Sequence, residues 1–277
     1  GYKPNITGKM LSMQNRTSIG IIVGADKTPE DGRVFEIIYK SMVECSERLE
    51  MSGVRFVYRR MVSGEVEEQI RIIEEMAAEG VRGIALAFRK RTKKLYDTIA
   101  RFQRKGIQFV PYFNTLVAPD TDLRFQCYLE TDQVREGRIA ASLLAKFIGG
   151  RGKIALISGL EENYAHQLRV DSACDLLKER YSEIEVLPIY RNCYPKDEAE
   201  LLCRKILKEN ADLTGMIVSC GFFGTITSCI EKMGKKDQIS VILFDITQKA
   251  KEDLRSGRCD AIIGIDLKRL GYNTIKV

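Results

Sequence analysis

The feature that most constrains the fold is a repeated order of short β-branched runs and longer stretches of helical period. The run Ser18–Val23 is strand-like. In the helical stretch that follows it, Phe35, Ile38 and Met42 recur at three- and four-residue steps. Gly53 then stands where a glycine commonly closes a helix. The same unit of strand, helix and glycine recurs up to residue 113, which predicts parallel βαβ units and an α/β fold.

A second series of strands and helices begins after the connector 114–122. Phe125–Leu129 is predicted as its first strand and Lys153–Ser158 as its strongest one. Two consecutive series predict two doubly wound parallel-sheet lobes with a cleft between them. The predicted division is a linker, 1–16; an N-terminal lobe, 17–116 plus 247–265; and a C-terminal lobe, 117–246 plus 266–277.

Composition narrows the class of protein. A chain of 277 residues, 44% hydrophobic and 30% charged, is typical of a soluble protein with room for two cores. No apolar run approaches the roughly 20 residues that cross a membrane, and no signal-peptide pattern is visible. The eight cysteines have no Cys-x-x-Cys spacing, which favours reduced thiols. We therefore expect a cytoplasmic location and no membrane partner.

Motifs of catalysis are missing from the sequence. It contains no Gly-rich phosphate loop, no Gly-x-Ser-x-Gly and no metal-ligand cluster. We therefore expect no enzymatic activity, no metal and no cofactor. The run 89–94 carries five positive charges in six residues. It suits either a patch for DNA phosphate or an anionic ligand, or a solvated corner between a loop and a helix.

The N-terminal segment Gly1–Asn5 reads Gly-Tyr-Lys-Pro-Asn and precedes a short amphipathic stretch that ends near Leu11. It resembles the hinge of regulators of the lactose-repressor (LacI/GalR) family. The resemblance implies a missing helix-turn-helix headpiece, a hinge helix on operator DNA, and a homodimer. It places Asn5, Lys9 and Leu11 at the DNA, with the leucine in the minor groove. The alternative is a linker without function.

The resemblance continues along the chain. Thr131–Ala141 resembles the family's Asp-x-x-x-x-Gly-x-x-Ala-Ala helix start, in which Asp132 caps the helix and Gly137 lets it lie close on the sheet. Val241–Asp245 resembles the family's apolar strand followed by an aromatic residue and Asp. The resemblance implies two lobes like those of type I periplasmic binding proteins and of repressor sensor domains. It also implies that elements beyond Val277 are missing.

The resemblance also implies a ligand site. It places a ligand-binding arginine at Arg169, a ligand-binding aspartate at Asp245, and Asn114 at a strand end that commonly contacts ligand. Planar polar groups and aromatic faces suit a sugar-type ligand. Further candidates lie at strand ends or in adjoining loops: Asp26, Phe35, Phe88, Arg89, Tyr164, Phe222 and Asp266.

Structural alternatives stay open for several candidates. Asp245 also suits the cap of the helix that follows it, and Arg169 suits an ion pair on the surface of its lobe. Phe35, at helical spacing with apolar neighbours, suits the core. His166 is the only histidine in the chain and suits a polar surface loop.

Together these features predict the ligand-sensing domain of a DNA-binding transcriptional regulator. A small sugar-like effector would bind between the lobes and control operator affinity allosterically. Gly221 and Ile265 stand where the family usually has Asn and Gln, which favours apolar or aromatic contacts to that ligand. The alternative function is a solute-binding protein of an importer, which shares the fold and the cleft but is exported and monomeric.

Overall fold

The computed structural model describes residues 17–26, 34–50, 53–88, 92–113, 123–159, 164–191 and 196–277. They divide into two compact units. The first comprises the described residues up to 131 together with 266–277, and the second comprises 132–265. Each unit contains a parallel sheet connected through helices. The predicted α/β fold with two parallel sheets is therefore confirmed.

The first unit is built on a four-stranded parallel sheet. Its described elements up to residue 113 are β1 (Thr17–Val23), α1 (Val34–Glu50), β2 (Val54–Arg60), α2 (Val66–Ala78), β3 (Gly83–Leu86), α3 (Lys93–Gln103) and β4 (Gln108–Pro111). The strand order is β2-β1-β3-β4. Ile21 and Val23 of β1 pack with α1, whereas Ile22 packs with α2 and α3. This alternation, with helices on both faces, explains the continuous apolar run of β1.

The second unit is built on a five-stranded parallel sheet. Its elements are α4 (Gln133–Phe147), β5 (Gly152–Ser158), α5 (Tyr164–Arg180), β6 (Ile184–Val186), α6 (Lys196–Glu209), β7 (Leu213–Ser219), α7 (Phe223–Lys232), β8 (Ser240–Phe244), α8 (Gln248–Arg255) and β9 (Ala261–Ile263). The strand order is β6-β5-β7-β8-β9. Ile154 and Leu156 face α4 and α5, whereas Ala155 and Ile157 face α6 and α7. The sheet therefore lies between two helical layers.

The last elements correct the predicted lobe boundaries. Strand β9 hydrogen-bonds to β8, so 247–265 belongs to the second unit. The following helix, α9 (Leu267–Lys276), packs on α1 of the first unit. Gly271 permits this packing because a Cβ there would lie 2.4 Å from the carbonyl oxygen of Ile38. The chain thus passes from the second unit to the first near residue 265. The prediction had the reverse assignment, with 247–265 in the N-terminal lobe and 266–277 in the C-terminal lobe. The predicted linker 1–16 lies outside the described residues.

The predicted strand Phe125–Leu129 is also corrected. Only an isolated bridge between Tyr112 and Leu129 forms there. Phe125 instead packs edge-on against Phe88, with ring centroids 6.3 Å apart. The apolar residues of this segment therefore serve side-chain packing rather than a ladder. Among the described residues, no helix combines the length and apolarity that would cross a membrane.

Candidate functional site

The candidate site lies at the carboxyl end of the second sheet. Ser158 of β5 is in register with Ser219 of β7, and Val218 is in register with Leu243 of β8. The strands β5, β7 and β8 therefore end at one edge, where Asp245 follows β8. Open parallel sheets bind ligands outside the carboxyl ends of their strands.

Arg169 of α5 is the centre of a charged cluster at this edge. The residue is 3% exposed. Its Nε donates to Glu136 Oε2 of α4 at 2.7 Å, and its terminal nitrogens lie 3.2 and 3.4 Å from the two carboxylate oxygens of Asp245. Its guanidinium carbon also lies 4.6 Å from the centroid of the Phe244 ring. The surface ion pair considered for Arg169 is therefore excluded.

The two carboxylates of the cluster determine the charge state of Arg169. Burial by itself lowers the pKa of Arg169, but the carboxylates of Asp245 and Glu136 outweigh burial and hold that pKa above its usual value. The guanidinium therefore stays charged while enclosed by protein.

Close packing of α4 on α5 brings Glu136 to Arg169. A Cβ at Gly137 would lie 2.1 Å from the carbonyl oxygen of Arg169 and 2.2 Å from Ser172 Oγ. Only glycine fits at this position without a movement of one of the helices. Gly137 therefore allows a close approach of α4, as predicted, but α4 approaches α5 rather than the sheet. Asp132 caps α4 as predicted, accepting from the backbone N–H of Arg135 at 2.9 Å.

Asp245 presents the accessible part of the cluster. Its backbone has a φ of 66°, a left-handed conformation that Asp tolerates better than most residues. Its N–H donates to the carbonyl of Ile263 at 2.9 Å. Thr247, not Asp245, caps α8, since its side chain accepts from the Ala250 N–H at 3.0 Å. The helix-cap alternative for Asp245 is therefore excluded, and its side chain is 31% exposed.

His166 lies one turn before Arg169 on α5. It is half-buried, and its Nδ1 would lie 2.5 Å from a Cβ at Gly159, the residue after β5. Burial lowers the pKa of His166 to about 4, an effect that the charge of Arg169 increases and that of Asp245 opposes. The imidazole is therefore neutral at pH 7. The alternative that His166 lies in a polar surface loop is wrong, because the residue is in α5 and its ring packs against the end of β5.

Three further candidates lie at the starts of helices: Tyr164, Phe222 and Asp266. Tyr164 begins α5 and is exposed, and Phe222 precedes α7 and packs against the core. Asp266 caps α9, where its Oδ1 accepts from the Arg269 N–H at 2.9 Å. The ligand roles of these three residues stay predictions. Arg169 and Asp245 are the predicted pair that the structure joins directly through their side chains.

In the first unit, the described candidates hold structural positions. Asp26 caps α1, accepting from the backbone N–H groups of Phe35 at 2.9 Å and Glu36 at 3.1 Å. Phe35 is 2% exposed and covers Gly24, which agrees with its core alternative. Phe88 is buried against Tyr96. Ligand contact by Asp26, Phe35 or Phe88 stays a prediction, and Arg89 and Asn114 lie outside the described residues.

Sequence reasoning missed Glu136 as a site residue. The buried residues of α4 recur at helical spacing, and Glu136 falls on that stripe between Gln133 and Ala140. A carboxylate on the buried stripe of a helix signals a buried ion pair. A second missed group is Gln167, whose amide donates to the Gly159 carbonyl at 3.2 Å and whose oxygen accepts from Arg191.

Residues 41–277 match a family model described as a periplasmic binding protein domain. The chain belongs to this family. The match covers most of the chain, and it includes α4, α5 and the strand end at Asp245. A comparison with curated proteins gave no match.

Solved structures share the fold of the chain. A sugar-binding protein of a sugar ABC transporter from Bacillus halodurans is 22% identical, with a TM-score of 0.81 over 95% of this chain and 86% of that one. An ABC transporter periplasmic solute-binding protein from Actinobacillus succinogenes, with bound D-allose, is 17% identical (TM-score 0.80, 94% and 90% covered). An ABC transporter solute-binding protein from Bacillus halodurans C-125, with bound myo-inositol, is 17% identical (TM-score 0.78, 95% and 87% covered).

These comparisons correct the predicted function. The transcriptional-regulator prediction is wrong, because the similar structures are sugar-binding and solute-binding proteins of ABC transporters rather than repressors. The cytoplasmic location is corrected for the same reason. Asn5, Lys9 and Leu11, on which the predicted operator-DNA contact rested, lie outside the described residues. The repressor resemblance misled because repressor sensor domains and periplasmic binding proteins share one fold.

Proposed function

We propose that this chain is a solute-binding protein of an importer and that its ligand is a sugar or a related polyol. The observation that carries the proposal is the Arg169–Asp245 pair at the carboxyl end of the second sheet, in a chain of the periplasmic binding protein family. Two similar structures hold D-allose and myo-inositol, ligands rich in hydroxyl groups.

The chemistry of the pair suits such a ligand. The Asp245 carboxylate, 31% exposed, accepts hydrogen bonds from hydroxyl groups. Arg169 is too buried to move freely, and it fixes the carboxylate through both terminal nitrogens. A preformed carboxylate lowers the entropy cost of binding, because its orientation is set before the ligand arrives.

The proposal includes reversible binding outside the cytoplasm, with delivery of the unchanged ligand to membrane subunits of the importer. Binding without turnover agrees with the family, whose solved relatives are named for binding or transport. The partner in this proposal is therefore a transport complex and not DNA.

A thermal-shift screen followed by calorimetry tests the proposal. The panel contains D-allose, myo-inositol, D-glucose, D-galactose, D-ribose, L-arabinose and D-xylose, with glycine betaine and L-leucine as non-sugar controls. A ligand at a hundredfold excess over its Kd stabilises the folded protein by about 2.7 kcal/mol. We expect saturable binding of at least one sugar or polyol, recovered unchanged. Binding of an amino acid alone, or conversion of the sugar, would contradict the proposal.

A further inference from the structure

Glu136 alters the charge that a ligand meets at the Arg169–Asp245 pair. Glu136 and Asp245 each carry one negative charge, Arg169 carries one positive charge, and His166 is neutral at pH 7. The cluster therefore has a net charge of about −1. Without Glu136, the remaining pair would be neutral.

Burial decides which of these charges faces outward. The side chains of Arg169 and Glu136 are 4% and 11% exposed, whereas that of Asp245 is 31% exposed. The Nε of Arg169 is occupied by Glu136 at 2.7 Å, and its terminal nitrogens are directed to Asp245. A ligand at this edge consequently meets a carboxylate before it meets a guanidinium.

Arg191, which also donates to Gln167 of α5, forms an ion pair with Asp171 at 2.5 Å. No net positive charge from this pair offsets the cluster.

We propose that Glu136 is a specificity-determining residue, which makes this site select uncharged or amino-bearing sugars and reject sugars that carry a carboxylate or phosphate. The inference rests on the proposed function. Glu136 acts through Arg169: it neutralises the guanidinium and occupies its Nε, and with the terminal nitrogens directed to Asp245 the guanidinium offers no net positive charge to an anionic ligand. Arginine that is not occupied in this way binds carboxylate and phosphate bidentately.

The experiment uses matched ligands and charge variants. Calorimetry compares D-glucose, D-glucosamine and D-glucuronate, and the galactose counterparts, on the wild type, Glu136→Gln and Glu136→Asp. Glu136→Gln keeps an oxygen acceptor for Arg169 and removes the charge, whereas Glu136→Asp keeps the charge. Glu74→Gln is the control, because Glu74 forms an exposed pair with Arg101 in the first unit.

We expect wild-type protein to bind the uronate of a series at least about tenfold more weakly than the neutral sugar. In Glu136→Gln, the ratio of the two affinities should move about tenfold toward the uronate, and Glu136→Asp and Glu74→Gln should keep the wild-type ratio. Wild-type preference for a uronate overturns the inference even if Glu136→Gln fails to fold. An unchanged ratio in folded Glu136→Gln also overturns it, with the proposed function intact. Absence of binding by every sugar of this set and of the thermal-shift panel contradicts both the inference and the proposed function.

Discussion

The carboxyl ends of the two sheets carry similar residue types but hold them in different ways. In the first unit, both carboxylate oxygens of Asp26 are bound to the start of α1, and Phe35 is part of the core. In the second unit, Asp245 is held by Arg169 and keeps part of its carboxylate exposed. The same position after a strand therefore leaves the carboxylate of Asp26 occupied by backbone N–H groups and that of Asp245 partly accessible.

The largest expected difference between the units concerns buried charge. Arg169→Met leaves Glu136 and Asp245 without their shared counter-charge, and breaking a buried pair in this way costs about 3–5 kcal/mol. Arg101→Met is the control, since its pair with Glu74 is about half exposed and is worth less than about 1 kcal/mol. Urea denaturation measures both losses in unfolding free energy. Equal losses would show that the second unit does not depend on this pair.

A pair of glycine substitutions sharpens the comparison. Gly137 and Gly271 each lie against a helix of their own unit, and a Cβ would meet a backbone oxygen at 2.1 and 2.4 Å. We expect Gly137→Ala and Gly271→Ala each to cost about 1–3 kcal/mol in denaturation, through overpacking. Calorimetry should separate them, because only Gly137→Ala displaces Glu136 from Arg169. Weaker sugar binding in Gly271→Ala than in Gly137→Ala would contradict the site.

The smallest expected effect is a pH dependence that arises in the second unit. The pKa of His166 is about 4 in the folded protein, against about 6.5 in an unfolded chain. As the pH falls, the unfolded chain is protonated at His166 at a higher pH than the folded protein. The contribution of the neutral His166 to the free energy of unfolding is therefore complete above pH 6.5 and is lost as the pH falls toward 4. Because the residue is half-buried, we expect a loss of about 1–2 kcal/mol.

His166→Gln removes this titration. Denaturation of the wild type and the variant at pH 7 and pH 4.5 measures the change, and the wild type should lose more stability than the variant. The same loss in both proteins would mean that His166 is not desolvated in the folded state.

Much of the fold follows from local patterns in the sequence. The periodicity of α1 and the apolar run of β1 predict both elements to within a few residues, because burial on two faces dictates their composition. The assignment of β9 to the second unit and of α9 to the first could not be predicted in the same way. Strand Ala261–Ile263 is only three residues long, and its partner depends on a long-range ladder that no local pattern encodes.

The candidate site was predictable in part. Arg169 and Asp245 follow from a resemblance to a known family, but their mutual hydrogen bonds join residues 76 positions apart. Glu136 was missed because an acidic residue in the first turn of a helix usually favours the helix dipole on the surface. Its placement on the buried stripe of α4 is the signal that distinguishes it.

The most direct test is calorimetry of sugar binding by two matched variants, Asp245→Asn and Asp26→Asn. Both substitutions remove one carboxylate charge at a strand end, and Asn tolerates the left-handed backbone at 245 and can accept at a helix cap. The account predicts that Asp245→Asn weakens the best-bound sugar at least about tenfold, whereas Asp26→Asn stays within about twofold. Tenfold weakening in Asp26→Asn with unchanged affinity in Asp245→Asn would contradict it and move the site to the first unit.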